Sequence, residues 1–151
     1  MALSSGILVF RKAGEALEFF LVHPGGPFFV KKDVGFWTIP KGLVEEKEDL
    51  LVAAKREFLE ETGFEVSGDF IDLGFIVQKG GKRVHCFAVE FDLDPSQLVS
   101  NTFDLEWPPR SGKLVSFAEV DRGDWFSYKK ALIKINSAQA SLITNLVDIN
   151  S

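Results

Sequence analysis

The sequence predicts a single α/β domain, and three observations carry that expectation. A chain of 151 residues, 46% of them apolar and 26% charged, suffices for one ordinary hydrophobic core. Short runs rich in Val, Ile, Leu and Phe recur along it, bounded by Gly, Pro and Asp, as β-strands are. Two other stretches, around 49–63 and 127–148, instead place apolar residues at helical spacing. No internal repeat, low-complexity segment or linker divides the chain, so residues 1–151 are expected to form one unit.

Taken in order, Gly6–Lys12 and Leu17–His23 read as a hairpin with a turn at Ala13-Gly14-Glu15. The unbroken apolar run Phe19-Phe20-Leu21-Val22 predicts a strand covered on both faces. Pro24–Phe36 is broken by five Pro and Gly residues and reads as a loop. In it, Gly25-Gly26 is turn chemistry, and Lys31 and Lys32 are solvated charges that could also steer an anion. Trp37–Gly42 (WTIPKG) is extended, because Pro40 disfavours the helical region at Ile39. Asp49 then caps a helix that Gly63 closes, with Leu51, Ala54 and Phe58 as its core stripe. Beyond it, Glu65-Val66 and Phe70–Val77 are β-like, Lys79-Gly80-Gly81-Lys82 is a hairpin turn, and Val84–Leu93 returns as a strand. Asp94–Thr102 is polar, and Glu106–Gly112 is an irregular loop whose prolines exclude a central strand. Val115–Val120 is one more strand, Ser127 caps a first helical run, and Asn136 or Ser137 opens a last helix through Asp148.

The formal charge of −5 is local. Residues 45–65 hold eight acids and three bases, which accounts for all of it. The rest of the chain is neutral overall, so no broad basic surface is implied and general nucleic-acid binding is not expected. The only cysteine, Cys86, excludes an intrachain disulfide and reads as a buried, inert thiol in a strand. No apolar run approaches membrane-spanning length, and no signal-peptide pattern opens the chain, so a cytoplasmic, reducing setting is the expectation.

Within the acidic stretch, Glu57, Glu60 and Glu61 lie three and four residues apart and therefore share one helix face. Like charges at that spacing repel, and they sit in the last helical turns, where the macrodipole disfavours anions. Two readings follow from charge alone: a solvated acidic face, or a site whose repulsion a bound divalent cation removes. The face borders the apolar stripe, where a ligand can be gripped between helix and loop. Glu48 falls on the opposite side of the helix from Glu57, which suits an anchoring role at the helix start. His23 and His85 stand alone, and no Cys/His cluster points to zinc.

The full pattern is Gly42, five residues, Glu48, seven residues, Arg56-Glu57-Phe58, one residue, Glu60-Glu61, one residue, Gly63-Phe64. It resembles the complete signature of the Nudix hydrolases, with every fixed position present. The resemblance implies an α/β/α sandwich around a mixed β-sheet. It also implies a Mg²⁺- or Mn²⁺-dependent hydrolase of a diphosphate linked to another moiety. By that similarity, Glu57, Glu60, Glu61 and the Gly42 carbonyl would hold metal, and Arg56 would orient the carboxylates. The chemistry agrees, since hard oxygen ligands suit Mg²⁺, and metal ions activate water and neutralise phosphate oxygens without a protein nucleophile. Many family members add a base from a loop beyond the motif. Glu119 is the first candidate here and Glu106 the second, each equally readable as a surface carboxylate.

The substrate is less determined. Lys41, Lys79, Lys82 and Arg83 are candidates to meet phosphates, and Trp37, Phe36 or Trp107 to stack on a base, against the plainer readings of solvated charge and packing. WTIPKG resembles the equivalent segment of diadenosine polyphosphate and diphosphoinositol polyphosphate hydrolases. The tyrosine frequent in the former group about seventeen residues past the motif is missing, however, and Lys79–Lys82 occupies that region. The proline that marks many ADP-ribose hydrolases there is absent too. The expected partner is a small phosphorylated molecule, a nucleoside polyphosphate such as diadenosine tetraphosphate. The alternatives are an inositol pyrophosphate, for which the basic residues are too scattered, and a non-catalytic Nudix-like nucleotide-binding regulatory domain. The loops at 24–41, 79–83 and 103–125 are expected to set the choice.

Overall fold

The structure is a computed structural model that describes residues 3–150; Met1, Ala2 and Ser151, the ends of the expected domain, lie outside the described residues. Its centre is the strand β1 (Leu3–Ala13). One edge of β1 pairs in parallel with β5 (Arg83–Glu90). The other edge is shared by two antiparallel partners: β2 (Ala16–Pro24) along its second half and the short β3 (Lys41–Leu43) along Ser4–Gly6. β4 (Ile71–Val77) adds to β5, and β8 (Val120–Ser127) adds to β2, giving a mixed sheet in the order β4-β5-β1-β2-β8 with β3 beside β1.

Alternation along the central strands splits the core in two. Leu8, Phe10, Phe19 and Leu21 face α2 (Tyr128–Lys134) and α3 (Ala140–Asn150), packing with Ala131, Leu142, Ile143 and Leu146. Ile7, Val9, Phe20 and Val22 face α1 (Leu50–Thr62), packing with Ala54 and Phe58. Helices therefore cover both sheet faces, the expected α/β/α sandwich, and Phe19 to Val22 are all fully buried as the apolar run requires.

The helix ends follow the expected chemistry. Asp49 accepts from the amides of Leu51 and Val52, Ser127 from Lys130, and Asn136 from Ala138. Gly63, at φ 79°, donates to the Leu59 carbonyl and closes α1 in the left-handed region that favours glycine. The last helix begins as a 3₁₀ turn, Ser137–Gln139, before α3.

Three expectations are corrected. Glu65-Val66 forms no strand; two residues have no ladder to join, and Val66 tucks into the core under α1. Thr102–Glu106 is a strand, β6, pairing with β7 (Leu114–Ala118) as a separate two-stranded hairpin whose tip is the irregular 107–113 turn. Residues 120–127 form β8 rather than a loop. As an edge strand paired, among the described residues, with β2 alone, β8 exposes alternate polar residues such as Asp124, and these concealed its strand character in the sequence.

Candidate active site

α1 turns its apolar residues Ala53, Ala54 and Phe58 to the core and presents its late glutamates to β3. β3 is held by pairing of Ser5 with Gly42, and the Ser5 hydroxyl donates to the Leu50 carbonyl at 2.7 Å, so strand and helix start are fixed together. Gly42 has no side chain, and the Glu57 carboxylate lies in the space a β-carbon would fill.

Arg56 organises the carboxylates. Its Nε and Nη2 donate to Glu48 at 2.8 and 2.9 Å, a two-pronged pair that anchors the start of the helix. Nη1 donates to Glu57 Oε1 at 2.8 Å and approaches Glu60 at 3.4 Å, while Nη2 also donates to the Leu43 carbonyl at 2.9 Å. The guanidinium holds the Glu48 carboxyl down at about 2. Glu57 is pushed the other way, chiefly by burial, against the pull of Arg56. Glu61 is raised to about 8 by burial, although it accepts the Lys41 amide at 3.3 Å.

Two further charges face this cluster. Glu119, exposed at the β7–β8 junction, raises both Glu57 and Glu61 through its negative charge. Its amide donates to the Asn101 carbonyl at 2.9 Å, and the Asn101 amide donates to the Glu60 carbonyl at 2.8 Å. One residue thus straps the candidate base to the last turn of α1. Lys41 is the second; burial lowers its pKa, Glu61 opposes that, and the nearby Lys82 adds to it.

The structure therefore brings Arg56, Glu57, Glu60, Glu61, Gly42, Lys41, Lys82 and Glu119 to one region, and disperses the other candidates. Glu106 accepts the amides of Arg110 and Gly112 at 3.0 and 3.2 Å, closing its own hairpin turn. Trp37 is a core residue, 4% exposed, with its ring edge-on to Phe126 at 4.9 Å, so it offers no stacking platform. Arg83 lies over the Phe75 ring at 4.2 Å, and Lys79 is exposed in the hairpin turn. Trp107 meets Phe28 at 5.4 Å between the hairpin tip and the 24–36 loop, and Phe36 packs on Phe29. Asn101 went unrecognised in the sequence because only its backbone acts, which leaves no residue-type signal.

Among the described residues, no three carboxylates or imidazoles close into a ready-made metal cage. An open, one-sided set of oxygen donors is nonetheless what a Mg²⁺ ion that keeps several waters requires. Glu57 seated on Gly42, and Glu61 held half-buried with too little positive charge around it, fit such an ion on donor type and electrostatics.

Comparison with known proteins bears on the fold and the family. The NUDIX domain model matches residues 2–146. Among solved structures, the NUDIX domain of Shewanella oneidensis NrtR in complex with ADP ribose is similar at 16% identity and TM-score 0.69, covering 99% of this chain and 88% of that one. A C. elegans Ap4A hydrolase binary complex is similar at 22% identity and TM-score 0.65, covering 99% and 97%. The C-terminal domain of mouse MUTYH, solved with human PCNA, is similar at 13% identity and TM-score 0.62, covering 99% and 90%. A search of curated proteins gave no match. At these identities the structural likenesses establish the fold, whereas the family model spans nearly the whole chain, and on that ground the chain belongs to the NUDIX family.

Proposed function

We propose that this chain is a Mg²⁺- or Mn²⁺-dependent pyrophosphohydrolase that cleaves a diphosphate linkage in a nucleoside polyphosphate, with dinucleoside polyphosphates such as diadenosine tetraphosphate as the leading class. The observation that carries the proposal is Glu57 seated on Gly42 beside the half-buried Glu61, every carboxylate of the motif being present. Glu57, Glu60, Glu61 and the Gly42 carbonyl would hold the metal. When bound, the metal supplies a nucleophilic water at neutral pH and neutralises phosphate oxygens. Arg56 fixes the carboxylate rotamers through four acceptors. Lys41 and Lys82, whose charges interact beside Glu61, meet the phosphate chain. Glu119 accepts the proton of the attacking water as the new O–P bond forms and the bridging P–O bond breaks.

Structural likeness to proteins described with Ap4A and ADP ribose supports a nucleotide over an inositol pyrophosphate. A regulatory, non-catalytic role is disfavoured because the carboxylates are intact. The buried thiol of Cys86 suits a reducing cytoplasm. Among the described residues, no helix is long and apolar enough to cross a membrane.

The test is incubation with Mg²⁺ and a panel of diadenosine polyphosphates, ordinary and oxidised nucleoside triphosphates, ADP-ribose and inositol pyrophosphates, with product identification. Wild-type protein should release nucleotides, and Glu60→Gln and Glu61→Gln should lose turnover while remaining folded. Full turnover in both variants would overturn the proposal.

A further inference from the structure

The β2–β8 ladder carries an irregularity two residues from Glu119. It runs in step from Glu18 with Ser127 to His23 with Arg122, then jumps to Pro24 with Val120, leaving Asp121 with no residue opposite it on β2. An extra residue of this kind re-aims every side chain beyond it, because strand side chains alternate faces and a one-residue slip turns them over. In the observed register, Val120 is buried and Glu119 is exposed beside Glu57 and Glu61. Relaxation of the bulge would exchange those two faces and take the Glu119 carboxylate away from the cluster.

A side-chain pair holds the bulge open. His23 Nδ1 lies 2.9 Å from Asp121 Oδ1, and His23 Nε2 lies 2.6 Å from the Lys32 carbonyl oxygen. A carbonyl oxygen only accepts, so Nε2 carries a proton. Nδ1 faces a carboxylate, so a second proton sits between them; without it, a ring lone pair would oppose the carboxylate charge. The two side chains are therefore joined by a hydrogen bond across the Nδ1–Oδ1 gap.

The ring is fully buried and edge-on to Trp37 at 5.3 Å, while Asp121 is 32% exposed, with Arg122 3.7 Å away. A polar ring buried this deeply is tolerated only when its nitrogens are hydrogen-bonded, and an apolar side chain could fill the same space without that requirement. Two residues on, the Gly25 amide donates to the Glu119 carbonyl at 2.9 Å, and a β-carbon on Gly25 would overlap the Ala118 carbonyl oxygen. His23 and Gly25 thus grip residues 118–121 from one side, while Asn101 and the Ser100 hydroxyl, which accept the Glu119 and Val120 amides, grip them from the other.

We propose that the buried His23–Asp121 hydrogen bond is a positioning element for Glu119, pinning the β-bulge that aims this carboxylate at the motif glutamates. The inference rests on the role given to Glu119 above.

It is tested with a double-mutant cycle, using Mg²⁺ and whichever nucleotide of the panel is hydrolysed fastest. Asp121→Ala should lower kcat roughly tenfold to hundredfold with KM nearly unchanged. In the Glu119→Gln background the same change should lower kcat by less than about twofold, since both act through one group. ¹⁵N NMR of the wild type, which has only two histidines, should find both ring nitrogens of His23 engaged in hydrogen bonds. Equal losses in both backgrounds, or a wild-type His23 with one bare ring nitrogen, would overturn the inference. If Glu119→Gln is slow but Asp121→Ala matches the wild type, the inference alone falls. If Glu119→Gln matches the wild type, the assigned role of Glu119 falls and the inference with it. Should Asp121→Ala not fold, His23→Phe keeps the ring volume, removes both bonds and must show the same coupling.

Discussion

The Glu57 carboxylate occupies the space that a β-carbon on residue 42 would need. Gly42 is not in the left-handed region, so its backbone would accept alanine and the conflict is purely steric. Gly42→Ala should therefore fold with a near-normal melting temperature yet lose roughly 100-fold in turnover, since displacement of a catalytic group by about 1 Å has effects of that size. Melting curves and steady-state rates on one preparation check both halves.

Glu61 gives the metal-free protein a pH-dependent stability. Its carboxyl titrates near 4.5 when unfolded and at about 8 when folded, so between those values the folded state binds more protons. This contribution should be fully present below the lower value, fall as pH rises through the window, and be gone above about 8. Because a divalent cation binds the deprotonated form, the stabilisation conferred by Mg²⁺ should grow across the same window. Thermal melts at a series of pH values, with and without Mg²⁺, read both trends, and Glu61→Gln should flatten them.

Arg56 touches no candidate substrate group, yet it joins Glu48, Glu57 and the Leu43 carbonyl. Arg56→Lys keeps the charge but loses the fork that reaches all of them. Isothermal titration should show Mg²⁺ or Mn²⁺ binding weakened roughly 10- to 100-fold, the usual effect of removing a group that orients metal ligands.

Lys82 is exposed at the hairpin turn and close enough to Lys41 for their charges to interact. Lys82→Ala should raise KM several-fold with little change in kcat, and the difference from wild type should shrink as salt is added.

Gln139 is 1% exposed; its Oε1 accepts the Ile39 amide at 3.0 Å and its Nε2 donates to Thr38 Oγ1 at 2.8 Å. A side-chain amide here stands in for a peptide group and holds the strand that leads to Gly42. Gln139→Leu strands a buried donor and should lower the free energy of unfolding by about 1–3 kcal/mol, measurable by urea denaturation.

How far the sequence could be read depended on whether each feature is local. Asp49, Gly63 and Ser127 do their work within a few residues, and their caps were legible for that reason. The motif carboxylates were legible because helical spacing alone places them on one face. By contrast, β8 and β6 took their character from partners: an edge strand with hydrated outward residues, and a hairpin whose polar alternation resembled a loop. Trp37 went into the core because its ring was needed between His23 and Phe126, a demand its own neighbours in sequence do not announce. The His23–Asp121 and Gln139–Ile39 contacts span about 100 residues, and no single-sequence pattern carries such pairs.

The arrangement around β1 also orders events in time. Residues 4–6 carry Gly42 on one edge and Val84–Cys86 on the other, and the parallel ladder to β5 joins positions about 80 apart. Pairings of such long range form slowly, because much chain must be restrained before any contact is gained. During synthesis, a chain that has emerged only through the motif helix has its glutamates in place but not the strand that buttresses β1. The acidic helix and β3 are thus synthesised early, and the strand that buttresses β1 late.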